Sequence, residues 1–211
     1  MLFSETQDKA NKVLYDEIPY ELKSVIATSI FTANRMAKKI WEKNCNLPKT
    51  GKYDAAFRLR FIIYRLLAKF ADEKMGYGLT YTETSGTNSP LYIWNGRIQF
   101  QLKKHINNKT VPAASLDRLK KSQKNEQGSL FDDEEISEWY CIVTYDHKDF
   151  MIKHISMGIP DAQYKGWLAF ENIARYVDID EAEEIEKHYL ADMESAVEEE
   201  ISKTYKLEIS K

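Results

Sequence analysis

The stretch Leu91-Tyr92-Ile93-Trp94, Asn95-Gly96, Arg97-Ile98-Gln99-Phe100-Gln101-Leu102-Lys103 constrains this chain more than any other. Asn and Gly accept the positive φ values of a two-residue type I′ turn, whose twist matches that of paired strands. The flanks are rich in aromatic and β-branched residues, so the stretch reads as a β-hairpin. In its second strand Ile98, Phe100 and Leu102 share one face, while Arg97, Gln99, Gln101 and Lys103 share the other. That alternation predicts a sheet with one face in a core and one face in water.

The same reasoning extends outwards. Leu79–Glu83 is strand-like, and Ser85–Pro90 is a connecting loop. Glu138–Tyr145 and Phe150–Met157 flank Asp146-His147-Lys148-Asp149 as a second hairpin, closed by Gly158–Asp161. Before the sheet the period is helical. A short helix is expected near Gln7–Asp16. From Ile18-Pro19-Tyr20, Leu22, Ile26, Ile30, Ala33, Ala37 and Ile40 recur on one stripe, widened by Trp41. A further helix is expected at about Asp54–Glu73, with Phe57, Phe61, Tyr64, Leu67 and Phe70 opposite Arg58, Arg60, Arg65 and Lys69. After the sheet two helices are expected, Gln163–Tyr176 and Ile179–Lys203. The order predicts one α+β domain over residues 1–211, with an antiparallel sheet of about five strands built from two hairpins. Residues 104–137 read as a long polar loop or insertion, with a short helix at Ala114–Lys121.

Composition narrows the function classes. The 211 residues are 43% hydrophobic and 12% aromatic, enough for a sizeable core. Lys and Arg number 30 against 33 Asp and Glu, so the net charge is -3 and nucleic acid is not announced by overall balance. The two cysteines, Cys45 and Cys141, form neither a disulfide framework nor a zinc spacing. The N-terminus lacks a basic region followed by an apolar run, and no run has the length of a membrane span. The expectation is a cytosolic, reduced, soluble protein.

Two large apolar residues interrupt the polar segment, in Gln127-Gly128-Ser129-Leu130-Phe131, between a Lys-rich flank and Asp132-Asp133-Glu134-Glu135. A Leu-Phe pair in such a setting suits a peptide anchor. The pentapeptide resembles the motif by which bacterial replication and repair proteins dock on the sliding clamp: Gln, any residue, Ser or Asp, Leu, Phe. The resemblance covers these five residues only. It implies that Gln127 hydrogen-bonds at the rim of the clamp pocket. Leu130 and Phe131 would fill an apolar cleft, and Ser129 would fix the backbone. Gly128 stands where Leu is often found, a tolerant position.

Three other stretches carry chemical expectations. Lys103, Lys104, Lys109, Arg118, Lys120, Lys121 and Lys124 set seven cations against Asp117 between residues 103 and 124. Such a segment can hold phosphates by charge rather than by sequence; the alternative is a solvated loop balanced by the acids that follow. From Asp178 to Glu200 eleven acids face a single Lys187, which suits either a solvated helix face or a DNA mimic presented by an inhibitor of host defence. The strand end Gln101-Leu102-Lys103 resembles the restriction-endonuclease-like nucleases over two strands. Those place an acid, a spacer and a Lys there to hold Mg²⁺. Here Gln101 replaces the acid, with Glu83 as the available partner, so the resemblance implies an inactive relative.

The four histidines, His105, His147, His154 and His188, show no metal spacing, and the aromatic strand residues Tyr81, Tyr92, Trp94, Trp139 and Tyr145 read as core. The sequence names no catalytic residue, metal ligand or cofactor. It leads to a non-enzymatic replication or repair protein, or a phage-type inhibitor, that docks on the sliding clamp. A DNA-binding or nuclease-like protein is the alternative.

Overall fold

The computed structural model describes residues 2–43, 62–67, 69, 79–82, 91–127 and 138–209. Helix α1, Leu2–Lys12, runs into a π-helical turn, Val13–Glu17, which Pro19 ends before α2, Tyr20–Lys43. Residues 62–67 form α3; the rest of the helix expected at 54–73 lies, Lys69 apart, outside the described residues. Strands β1 (Leu79–Thr82), β2 (Leu91–Trp94) and β3 (Ile98–Lys104) precede α4 (Leu116–Ser122) and α5 (Lys124–Gln127). Strands β4 (Trp139–Lys148), β5 (Met151–Pro160) and β6 (Trp167–Asn172) follow, then a 3-10 turn at Ala174–Tyr176 and the long α6, Ile179–Ile209.

The α+β class is as expected, but the described sheet has six strands, in the order β1-β2-β3-β4-β5-β6. It is mixed rather than antiparallel, because β3 and β4 run parallel. The residues between them return the chain to the same end of the sheet before β4 starts. The Asn95-Gly96 turn forms as read, with φ values of 50° and 65°, and Arg97 donates its N–H to the Trp94 carbonyl at 3.1 Å. The second hairpin is longer than expected. Its strands reach Lys148 and Met151, and the turn falls on Asp149-Phe150, both at positive φ. Phe150 is bulky for that conformation; the Asn34 amide holds its carbonyl.

The largest departure is the helix expected at Gln163–Tyr176, which is strand β6 followed by a 3-10 turn. A bulge explains the misreading. The β5–β6 register shifts between Ile159 and Pro160, so Ala169 pairs Ile159 while Trp167 pairs Pro160. The extra residue, Leu168, lets Trp167 and Phe170 lie ring to ring at 5.6 Å. A bulged strand thus reproduces the three-residue spacing of a helix.

Two apolar layers flank the sheet. On one face α1, the π-helical turn, α2, α3 and α6 bury Ala10, Leu14, Ile26, Met36, Ile62 and Ile185 against Phe100, Leu102, Trp139, Val143 and Met157. On the other, Tyr140, Ile142 and Tyr164 pack with Leu91, Val111, Leu119 and Trp167. The second face is therefore not simply wet. Gln101, expected in water, is buried and accepts the Tyr140 hydroxyl at 2.8 Å.

Where helices meet sheet, Lys23 of α2 and Glu171 of β6 form an ion pair at 2.8 Å, each side chain only 4% exposed. Burial pushes the Glu171 carboxyl up, but hydrogen bonds from Lys23, Tyr176 and Arg175 outweigh it and hold the group below its ordinary value of 4.5. Removing one partner leaves the other charge buried and alone. We expect Lys23→Ala or Glu171→Ala to lower the unfolding free energy by about 3–5 kcal/mol, with Lys23→Met/Glu171→Leu recovering most of it, as measured by urea denaturation. Because the folded state holds Glu171 ionised, its contribution is present above pH 4.5 and is lost as pH falls through the lower folded value. Glu171→Gln should flatten that acid limb.

Candidate docking segment and the sheet face beneath it

The connection after β3 is built outward from the sheet. His105 donates its N–H to the Tyr145 carbonyl at 2.9 Å, extending the ladder one step beyond Lys104. Asn107 then makes an Asx turn onto the Lys109 N–H at 3.0 Å. Ser115 caps α4 through the Arg118 N–H at 3.3 Å, and Leu119 docks that helix on the second face.

Asn125 fixes the end of this connection. It is wholly buried in the four-residue α5. Its Oδ1 accepts the Tyr140 N–H at 2.8 Å, and its Nδ2 donates to the Tyr140 carbonyl at 3.1 Å and the Pro160 carbonyl at 2.8 Å. One side chain thus completes backbone groups of two neighbouring strands. Lys124 pairs with Glu138, which also accepts Gln99 Nε2 at 3.2 Å. The chain that leaves at Gln127 therefore returns beside its point of departure. Gln127 is the last residue of α5; Ser129, Leu130 and Phe131 lie outside the described residues.

The seven cations are not gathered as one free patch. Lys104 lies 3.9 Å from Asp146, and Lys121 pairs with Asp117 at 2.7 Å. Lys124 is held by Glu138. Arg118 donates to the Ala113 carbonyl at 2.6 Å and faces the buried Tyr164 phenol, which burial pushes up to about 12 against the pull of the guanidinium. Arg118 thereby packs α4 rather than facing solvent alone. Lys103, Lys109 and Lys120 are exposed.

The acidic helix is also engaged. Arg35 binds Glu186 at 2.8 Å and Glu183 at 3.6 Å, and Lys39 binds Glu186. Lys43 binds Glu194 at 2.6 Å, and Lys69 binds Asp192 at 3.4 Å. Four of the eleven acids thus answer cations of the protein's own helices. At the nuclease-like position Gln101 is spent on Tyr140, and Glu83 lies outside the described residues. Cys141 is a core thiol, pushed by burial up to about 12, and Cys45 lies outside the described residues. Tyr92, Trp139 and Tyr145 are buried in the main core, with Tyr81 and Trp94 packed against it.

Sequence reading missed one grouping. His105, Asp146, His147 and His154 all stand at the carboxyl ends of the parallel pair or on its neighbour, with Lys104 Nζ 3.3 Å from His147 Nε2. Burial, ahead of neighbouring charges, lowers the pKa of both His147 and His154 from 6.5. His147 and His154 lie 42 and 49 residues from His105, separations that no motif spacing joins; only the strand register brings them together.

Comparison with known protein families, with curated proteins and with solved structures yields no match for this chain. Among the described residues no helix is long and apolar enough to cross a membrane.

If Asn125 holds the connection to the sheet, truncating it strands three buried backbone groups. Asn125→Ala is expected to destabilise the fold by about 1–3 kcal/mol in urea denaturation, with Asn125→Asp restoring only the bond to the Tyr140 N–H.

Proposed function

We propose that this protein docks on the bacterial sliding clamp through Gln127-Gly128-Ser129-Leu130-Phe131, and acts at replication or repair sites without catalysing a reaction itself. The observation that carries this reading is the Asn125 anchor. It places the first residue of the pentapeptide at the end of a helix pinned to two strands of the sheet. A peptide that starts from a fixed base loses less conformational freedom on binding than one on a free tail. Leu130 and Phe131 supply the apolar anchors, and Gln127 the polar contact that sets register. Occupying a cleft shared by other clients is itself enough to inhibit them, so recruitment and blockade use the same contact.

The test is direct binding of the purified protein to a bacterial sliding clamp by calorimetry, beside the Leu130→Ala/Phe131→Ala double variant. Micromolar or tighter binding is expected. The variant should weaken it by on the order of a hundredfold or more, as loss of two hot-spot side chains implies, with thermal stability unchanged. Absence of binding from folded protein, or a large loss of stability in the variant, would overturn the reading. The second outcome would show that the pair serves the protein's own core.

A further inference from the structure

One corner of the sheet, at the carboxyl ends of β3 and β4, is basic and open. Alternation along β4 puts Tyr140, Ile142, Thr144, Asp146 and Lys148 on the second face. Cross-strand partners share a face, so Lys103, beside Thr144, and Met151, beside Lys148, stand on it as well. Val111 and Leu119 cover this face at Tyr140 and Ile142. Towards the corner it is exposed, at Lys103, Lys148 and Met151. The opposite face there belongs to the core: Phe150 and Ile152 pack against the main cluster, and Lys104 Nζ meets His147 Nε2 at 3.3 Å.

Two further lysines join the corner. The β4–β5 register shifts between Asp146 and His147, which makes Lys153 an extra, exposed residue of β5 opposite that step. Lys109 comes from the turn after β3. Asn107 Oδ1 accepts the Lys109 N–H at 3.0 Å, and His105 Nε2 and Thr110 Oγ1 lie 3.0 Å apart. The turn thus folds back on the end of β3 and keeps Lys109 beside it. Against Lys103, Lys104, Lys109, Lys148 and Lys153, residues 98–110 and 144–154 hold two acids, Asp146 and Asp149. Asp146 is mostly buried and lies 3.9 Å from Lys104. The acids of α6 belong to the helical layer on the other side of the sheet, where Arg35, Lys39 and Lys43 answer them.

We propose that this corner binds duplex DNA through its phosphate backbone, with Lys103, Lys109, Lys148 and Lys153 as the contacts. Strands lie about 4.8 Å apart and rise about 3.3 Å per residue, so the four ammonium groups span roughly 15 Å. That covers several phosphates of one DNA strand, which follow about every 3.4 Å along the helix axis. The Asx turn spends Asn107 Oδ1, and the NH₂ of the same exposed side chain remains to donate to a phosphate oxygen. Contacts of this kind carry charge without reading bases, so binding is independent of sequence. Single strands are held on aromatic platforms. The aromatic residues at this corner, Tyr145 and Phe150, are spent on the core, which favours the duplex.

The test is fluorescence anisotropy of the full chain with a labelled short duplex, in a salt series and without any clamp. Four contacts predict that log K falls against log[salt] with a slope of about −3 to −4. Lys109→Gln and Lys148→Gln should each reduce that slope by about one and weaken all sequences alike; the fourfold Lys→Gln variant should lose binding. Lys165→Gln, exposed in the turn between β5 and β6 at the other end of the sheet, should change nothing. Circular dichroism checks that each variant is folded, and a single strand should bind more weakly than the duplex. No binding at low salt, tighter binding of the single strand, or a slope that survives the fourfold variant would overturn the inference. So would binding to vesicles of anionic lipid in place of DNA, a contact that the exposed Ile106 and Met151 would serve. Leu130→Ala/Phe131→Ala should leave DNA binding intact, so failure here and failure of clamp docking are read separately.

Discussion

Lys23 on α2 and Glu171 on β6 lose nearly all contact with water where the helical layer meets the sheet. Two charges in such a place are tolerable only when every surrounding group is in position. The Tyr176 hydroxyl and Arg175 satisfy the carboxylate from the 3-10 turn, and the Tyr15 and Tyr176 rings stand 5.7 and 6.0 Å from the ammonium. The pair therefore demands α2, the π-helical turn, β6 and the 3-10 turn together. It also settles the sheet's edge. β6 is a terminal strand, and an open edge invites pairing with another chain. Here Tyr15 caps the Phe170 carbonyl at 2.7 Å, while Ser24 takes the Tyr176 carbonyl at 2.8 Å. The N-terminal helices are the cover of an edge strand, which is why they precede the sheet in sequence yet pack against its last strand.

From that junction α2 and α6 run side by side in the same direction. Thr28 receives the Asp178 N–H at the start of α6, Arg35 meets Glu183 and Glu186 further on, and Lys43 meets Glu194 near the end of α2. Cations four residues apart on one helix thus face acids on the other. The acidity of α6 has a structural cause along this stretch, since its carboxylates answer a basic stripe of α2. Glu186 is the deepest of them, nearly buried and shared by Arg35 and Lys39.

Local chemistry was legible where a short stretch decides its own conformation. Asn95-Gly96 announces its turn because few other residue pairs accept two consecutive positive φ values. The stripe from Leu22 to Ile40 announces α2 because one helix face enters the core. Asp149-Phe150 announced nothing, since Phe is a poor turn residue and is held there by Asn34 from a distant helix. β6 was misread because a bulge imitates helical spacing. The parallel pairing of β3 with β4 was illegible for a different reason: a hairpin advertises its partner through its turn, whereas a crossover depends on where some thirty residues travel. With that register hidden, Gln101 read as a wet residue, and His105, Asp146 and His154 as unrelated. The Gln127–Phe131 pentapeptide is legible as a pattern alone; Asn125, just before it, is one polar residue in a polar stretch and shows its role only against Tyr140 and Pro160.

The connection from Lys104 to Glu138 ties these threads together. At its start His105 continues the β3 ladder; in its middle Val111 and Leu119 cover the second face; near its end Asn125 bonds two strands at once. A crossover fixed at several points behaves as part of the sheet rather than as a tether. Over residues 105–125 its polar composition reflects a different division of labour, in which a few buried side chains such as Ser122 and Asn125 hold it while Lys109 and Lys120 stay in water. Both ends rest on β4, the strand whose Tyr140 meets Asn125 and whose Asp146 meets His154, so whatever changes the seating of β4 is felt at both.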